Sequence, residues 1–428
     1  MAALVFLALL VGLLMGLPIG FSLGGAGILG MYLVTGNWNM VLSNISLVPF
    51  GTIAQYTLST IPMFILMAYF SAASGLARDL YKAGADWLSH LRGGLAIATV
   101  AACAIFGAMS GAAVAAASVM ATIALPEMRR HGYSEQLAAG TVGIGSTLVV
   151  LVPPSVGMII YGIATQTSIG KLLIAGVVPG LLVGVLLALA VFVWVTIRPQ
   201  DAPRPERVPW RQRLDSARRI WASFLVIVVV LVMLYTGIAT PSEVGAIGSF
   251  AAMSIGLVLK RLDRKGFVEA LAATIRTSTM IFIIIIGADI FGNYMAMSQI
   301  PQKMVAGVSA MNLNRWVVIL GIIIAYFVIS MFMDEIPLLL LTLQLTYPLI
   351  ISLGFDPIWY GVLSMMMMAM GMVFPPVGII AFVVSATAKM SLVKVYTGTS
   401  VLMIAIVIAT ILMMIFPEIA LWLPSTMK

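Results

Sequence analysis

What most limits the folds open to this chain is a succession of membrane-length apolar segments that starts at its first residues. No Asp, Glu, Lys or Arg occurs before Arg78. Apolar stretches of about 18 to 25 residues recur after that, the length that crosses a hydrocarbon layer about 30 Å thick. Soluble domains keep about a quarter of their residues charged, whereas here 9% are charged and 62% hydrophobic. The expected class is an all-α polytopic membrane protein with roughly a dozen spanning or re-entrant segments.

The formal net charge of +8 raises the question of nucleic acid, and the positions of the charges answer it. Seven of the 23 basic residues, Arg198, Arg204, Arg207, Arg211, Arg213, Arg218 and Arg219, crowd between two apolar spans. Basic clusters at span ends are the positive-inside signal of a cytoplasmic loop. The single cysteine, Cys103, rules out an intrachain disulfide and fits a small apolar packing role. Ala2 to Leu17 lacks the positive start of a signal peptide and reads as a first transmembrane helix, stopped by Pro18 and Gly20.

An internal repeat organises the rest. Pro126, His131-Gly132-Tyr133-Ser134 and Val152-Pro153-Pro154-Ser155-Val156-Gly157 are matched 222 residues later by Pro348, Leu353-Gly354-Phe355-Asp356 and Phe374-Pro375-Pro376-Val377-Gly378. One residue of adjustment then places Ser168-Ile169-Gly170-Lys171 beside Ser391-Leu392-Val393-Lys394. The expected organisation is a first repeat over 1–200, an Arg-rich cytoplasmic linker over 201–219 and a second repeat over 220–428. In the first, a re-entrant hairpin is expected over 94–125, interrupted at Gly107 to Gly111, and a broken helix over 136–165. The matching features in the second are a hairpin over 315–352 and a broken helix over 359–388.

Each hairpin arm on either side of Gly107 to Gly111 counts about 14 residues, about 21 Å of helix and too short to cross. Five crossings plus one hairpin is an odd number, so the second repeat has inverted topology. Charges agree with this independently. Arg78, Lys82, Arg92, Arg129 and Arg130 fall in loops expected inside, as do Lys260, Arg261, Arg264, Lys265 and Arg276 in the stretch 260–276. The connector 36–57, expected outside as an interfacial segment, has no charge, and both termini are then placed outside.

Inverted repeats with interrupted helices mark secondary transporters, whose sites lie near the midplane at the breaks. Four breaks are expected: hairpin tips at Gly107 to Gly111 and Met331 to Pro337, and broken crossings at Gly143 to Ser155 and Gly371 to Gly378. Each Pro-Pro pair removes two amide donors and starts a new half-helix. Carbonyls ending one half-helix suit a hard cation such as sodium, and amides opening the next suit a carboxylate. Ser110, Ser146, Thr147 and Ser155 add hydroxyls. A lone kink in a membrane helix is usually only a kink, and Ser110 could be a small packing residue. Recurrence at equivalent places in both halves favours the transport reading.

Acids inside a membrane are costly and functional by default. Asp334 and Glu335 stand at the second hairpin tip; the plain alternatives are solvation at the tip or an N-cap by Asp334. Asp289 is a further buried candidate, while Glu243, after Pro241, fits a helix start. His90 and His131 are far apart and form no metal-ligand pattern. The Met365 to Met368 run reads as lipid-facing or core packing. Trp38, Trp87, Trp210, Trp221 and Trp422 fall at span ends, as interfacial anchors do.

These residues resemble the large membrane subunit of TRAP (tripartite ATP-independent periplasmic) transporters, the DctM family, over nearly the whole chain. The most specific stretches are Phe106-Gly107-Ala108-Met109-Ser110-Gly111, Gly145-Ser146-Thr147-Leu148 leading to Pro153-Pro154-Ser155, Tyr161-Gly162, Phe332-Met333-Asp334 and Pro375-Pro376-Val377-Gly378. The resemblance implies a bacterial inner-membrane, elevator-type transporter coupled to Na+, with hairpins and broken helices as the moving part. It also implies a small four-helix membrane subunit and a periplasmic binding protein delivering an organic acid. It places one sodium site at Ser110, Gly111, Gly145, Ser146, Leu151 and Pro153, and a second at Met333, Asp334, Gly371, Phe374 and Gly378. Ser110, Thr147, Ser155 and Asp334 are the expected substrate contacts. In the second half the sequence departs from the family pattern, with Met370, Phe374, Ile379 and Ile380 where polar residues or Thr are common.

A standalone sodium–dicarboxylate carrier of related architecture is the alternative, and it would need no binding protein. A membrane-embedded enzyme would need paired intramembrane Asp or Ser/His groups, and only isolated acids occur, so no enzyme activity is expected. A channel would pass current without coupled substrate.

Overall fold

The computed structural model describes residues 2–203 and 208–427; Arg204 and Arg207 of the linker lie outside the described residues. Among the described residues every regular element is helical. The first half runs α1 (Ala2–Leu14), α2 (Ile19–Thr35), α3 (Trp38–Ile53), α4 (Thr60–Ala73), α5 (Leu76–Leu88), α6 (Gly94–Ser110), α7 (Ala113–Arg130), α8 (Glu135–Thr147), α9 (Val156–Thr165), α10 (Ile169–Ala175) and α11 (Val177–Ile197). Linker helix α12 (Trp210–Arg219) turns by 48° into α13 (Trp221–Thr236). Then come α14 (Pro241–Val258), α15 (Arg264–Ser298), α16 (Ile300–Ala310), α17 (Arg315–Ser330), α18 (Glu335–Ser352), α19 (Pro357–Gly371), α20 (Ile379–Ala388), α21 (Leu392–Ile415) and α22 (Glu418–Ser425).

Local chemistry sets the starts. Ser134, Ser155 and Ser168 cap α8, α9 and α10, each hydroxyl accepting an amide three residues on. Asp334 and Asp356 cap α18 and α19 in the second half. Thr240 and Glu243 form a full capping box at α14, as expected for an acid just after Pro241; such a cap contributes about 1 kcal/mol.

Two pairs of helices exchange reciprocally between the halves. Helix α2 lies along α15, and α14 lies along α4. Glycine makes both approaches possible: a methyl on Gly20 would stand 2.5 Å from the Ile283 carbonyl, and one on Gly27 2.8 Å from Phe291. On α14, a methyl on Gly245 would stand 2.9 Å from Met63 and one on Gly248 2.5 Å from Met67, while Thr60 and Ser242 share a hydroxyl hydrogen bond of 2.6 Å. Small residues at a crossing are how membrane helices gain packing where lipid supplies no hydrophobic drive. A second body holds the hairpins and interrupted helices. There α7 packs on α20 and α18 packs on α9, so each hairpin's second arm meets the other half's second half-helix. Gly140 of α8 and Gly398 of α21 cross backbone to backbone. The Met365 to Met368 run is buried here as core.

Several expected boundaries move. The first hairpin's arms have 17 and 18 residues, longer than the sequence count, because the Ala-rich run stays helical through Gly107 to Ser110 and only Gly111 (φ +63) and the extended Ala112 leave the helix. The second tip is confined to Met331–Asp334, since Asp334 restarts a helix at Glu335. The stretch 260–276, expected as a connector, is mostly helix: α15 starts at Arg264 and runs unbroken for 35 residues. The 36–57 segment is mostly helix α3, whose Trp38, Leu42, Leu47 and Phe50 are exposed.

Candidate functional site

The two hairpin tips bond to the two helix breaks. In the first half α8 tightens into a short 3-10 turn, Leu148–Val150, and the chain then passes Pro153 and Pro154, joined by a cis bond, before Ser155 opens α9. The first amide of α9, Val156 N–H, donates to the Gly111 carbonyl at the hairpin tip, 3.2 Å. A methyl on Gly111 would lie 3.0 Å from the Pro154 carbonyl, so positive φ and close approach both call for glycine here. Deeper in, Gly107 brings α6 to within 2.9 Å of Val149, counted from an added methyl, and Gly145 faces Cys103 in the same way at 3.1 Å.

The hydroxyls of this region divide. Ser146 donates to the Val142 carbonyl at 2.7 Å and Thr147 to the Ile144 carbonyl at 2.7 Å, so both are turned onto their own helix. Ser155 is fully buried and accepts the Met158 amide. The Ser110 hydroxyl, 5% exposed at the tip, has no partner. A buried hydroxyl without a partner is costly and marks a place where a ligand can complete its bonding. Pro153 is buried within the break, and the Leu151 carbonyl is directed at Gly176, where a side chain would overlap it.

In the second half the Gly378 amide donates to the Met331 carbonyl, 2.9 Å, the counterpart of the Val156–Gly111 bond. Gly378 has φ +53, and the Phe374 carbonyl folds over it. Gly371 closes on α17, where a methyl would overlap Ser330. Phe374 packs its ring on Phe327, centroids 5.4 Å apart. Met333 and Asp334 are half-buried at the tip, and one Asp334 oxygen accepts the Glu335 amide at 2.9 Å.

Two residues gain meaning only from the structure. Tyr396 donates to the Val377 carbonyl at 2.6 Å, and Thr399 donates to the Val373 carbonyl at 3.0 Å, so α21 supplies hydroxyls to the second break. By the repeat offset Thr399 and Val373 correspond to Gly176 and Leu151, and the first break has a bare glycine where the second has a hydroxyl. The offset could have found this pair, but neither residue carries a motif. Glu335 is 4% exposed, with one carboxylate oxygen unpartnered. Its other oxygen lies 3.6 Å from where a methyl on Gly157 would be, so it faces the first turn of α9, across from its own half. Asp334 and Glu335, adjacent in sequence, thus take different roles: a cap at the rim and a buried acid between the halves.

A family model described as the DctM component of the tripartite ATP-independent periplasmic transporter matches residues 6–419. The chain is 34% identical over 377 residues to the C4-dicarboxylate TRAP transporter large permease protein DctM of Pseudomonas aeruginosa, covering 88% of each chain. It is 31% identical over 421 residues to the ectoine TRAP transporter large permease protein of Halomonas elongata, covering 98% of each. Among solved structures, the YdaH transporter of Alcanivorax borkumensis matches with a TM-score of 0.66 at 13% identity, over 89% of this chain and 88% of that one. At that identity the likeness is one of fold.

Proposed function

Because the chain belongs to the DctM family, the large permeases of TRAP transporters, we propose that it imports an organic acid anion by coupling to sodium. The observation that carries this reading is the unpartnered Ser110 hydroxyl at a tip bonded to the first break. Sodium takes oxygen donors, and this reading assigns that role to Ser110 with the backbone carbonyls of Gly111, Gly145, Leu151 and Pro153. The substrate carboxylate lies against the half-helix starts at Ser155 and the second tip, where amides and the positive dipole end favour an anion. Ser146 and Thr147 act through the helix they brace, given their bonds to it.

The second cation site, at Met333, Asp334, Gly371, Phe374 and Gly378, carries less weight in this reading. Tyr396 and Thr399 already engage the carbonyls there. The two halves are inverted repeats, supported by the reciprocal packing of α2 on α15 and α14 on α4. The body of hairpins and broken helices moves against that frame as an elevator. A small membrane subunit and a periplasmic binding protein complete the system, which resides in a bacterial inner membrane.

The test is uptake into proteoliposomes holding this chain and its small subunit, with labelled organic acids, a sodium gradient and the binding protein. Uptake that needs both sodium and binding protein, with Ser110→Ala raising the sodium requirement, supports the proposal. Uptake without the binding protein supports the standalone carrier instead. Sodium-independent uptake overturns the cation sites.

A further inference from the structure

A polar cleft away from both tips has no part in the chemistry above. Asp289, in the outer portion of α15, accepts the Thr52 hydroxyl of α3 at 2.6 Å. It lines two adjoining cavities of about 110 and 420 Å³, which share Thr52, Gln55 and Gln344 as further lining residues. The larger one opens to the surface and also takes in Asn293. Gly292 leaves room for the Gln344 carboxamide, which a methyl would approach to 3.0 Å. One wall is α15, of the frame of exchanged helices, together with α3 packed on it. The other, Gln344 of α18 and Ile160 and Ile163 of α9, belongs to the hairpin body. Since α15 leaves the cytoplasmic side at the basic cluster around Lys260 to Lys265, the cleft lies toward the outer face.

Charge defines what this cleft can take. Among the described residues that line the two cavities there is one carboxylate and no Lys, Arg or His. An acid at membrane depth needs a compensating partner, and Thr52 supplies only a hydroxyl to one of its oxygens. The larger volume falls in the range of small-molecule sites, and its polar groups are spread around the wall; a bare sodium ion would need oxygens converging on one point.

We infer that the Asp289 cleft binds a cationic group, an ammonium or amidinium, of the transported solute, so that the substrate is a carboxylate that also carries positive charge. The inference rests on reading the chain as a solute carrier. Asp289 takes the cationic end, Gln55 and Gln344 offer amide oxygens to its N–H donors, and Asn293 stands at the mouth. Because the walls belong to the two different bodies, a solute held here touches both before it passes inward.

The experiment uses Gln55→Cys in the full complex, where the native Cys103 is buried. Labelling rates are measured with a cationic and an anionic methanethiosulfonate reagent. One unit charge about 8 Å away sets a cation-over-anion preference of roughly fivefold, which Asp289→Asn removes. Two solutes of similar length are then tried as protectants, 4-aminobutyrate and succinate. Protection by 4-aminobutyrate that exceeds protection by succinate, and that disappears in Asp289→Asn, bears the inference out. Equal protection by both, protection by sodium alone, or none at all overturns it. Sodium-dependent uptake by the same liposomes is scored separately, so a failure of the transport reading is told apart from a failure at Asp289.

Discussion

Replacing Gly111 by alanine tests the first hairpin tip most directly. Gly111 has φ +63, a conformation that costs an L-residue roughly 1–2 kcal/mol. Its new methyl would also stand 3.0 Å from the Pro154 carbonyl and 3.2 Å from a Val156 methyl. Both terms act against the same arrangement, the tip seated on the break with Val156 N–H bonded to the Gly111 carbonyl. The backbone is free to relax toward negative φ only by lifting the tip. Taking the strain alone as a lower bound, the ratio of seated to lifted tip falls about 5 to 30 times. A cation that binds only the seated tip then needs up to that much more sodium for half-saturation, the full factor when the sodium-free tip is mostly lifted. Uptake in the reconstituted complex, followed across sodium concentrations, reads this out. Thermal unfolding of the purified protein serves as control, because Gly111 is a local contact and the frame of α2, α4, α14 and α15 does not depend on it. A sodium curve that overlays the wild type refutes the argument, and so does a loss of uptake with unchanged sodium half-saturation.

Two further outcomes follow from the packing. Gly371→Ala drives a methyl into Ser330 and to 2.5 Å from the Phe327 carbonyl and should cost about 1–3 kcal/mol; adding Ser330→Gly should recover the Ser330 part only, and a double-mutant cycle in thermal unfolding that shows no coupling rejects that contact. Glu335→Leu removes a buried carboxyl with an unpartnered oxygen, so stability should rise by roughly 1–3 kcal/mol while uptake falls. A drop in melting temperature would make Glu335 a structural acid.

Much of the architecture was legible because in a bilayer the constraints are severe. Length and apolarity identify apolar helices without any knowledge of neighbours, and the Pro-Pro pairs announce the breaks in both halves. Tip boundaries were less legible. Gly107 looked like a helix interruption, yet a glycine inside an Ala-rich helix can be a packing notch, and Val149 on the facing helix decided that it is one. Hydroxyls were the least legible. Ser110, Ser146 and Thr147 all sit at the first tip and its facing broken helix in sequence, and nothing local distinguishes the two that bond their own helix from the one that does not.

The sequence by itself determined the class, the four interruptions and the family, since these depend on composition, spacing and motif. Only the tertiary structure decided which half meets which. It set Glu335 opposite Gly157 of the other half, gave Tyr396 and Thr399 to the second break and left Gly176 at the first, and joined Thr52 to Asp289. Those partners lie up to 237 residues apart. Their contacts exist because rigid helices cross at glycine notches, and the position of a crossing is a property of two surfaces together.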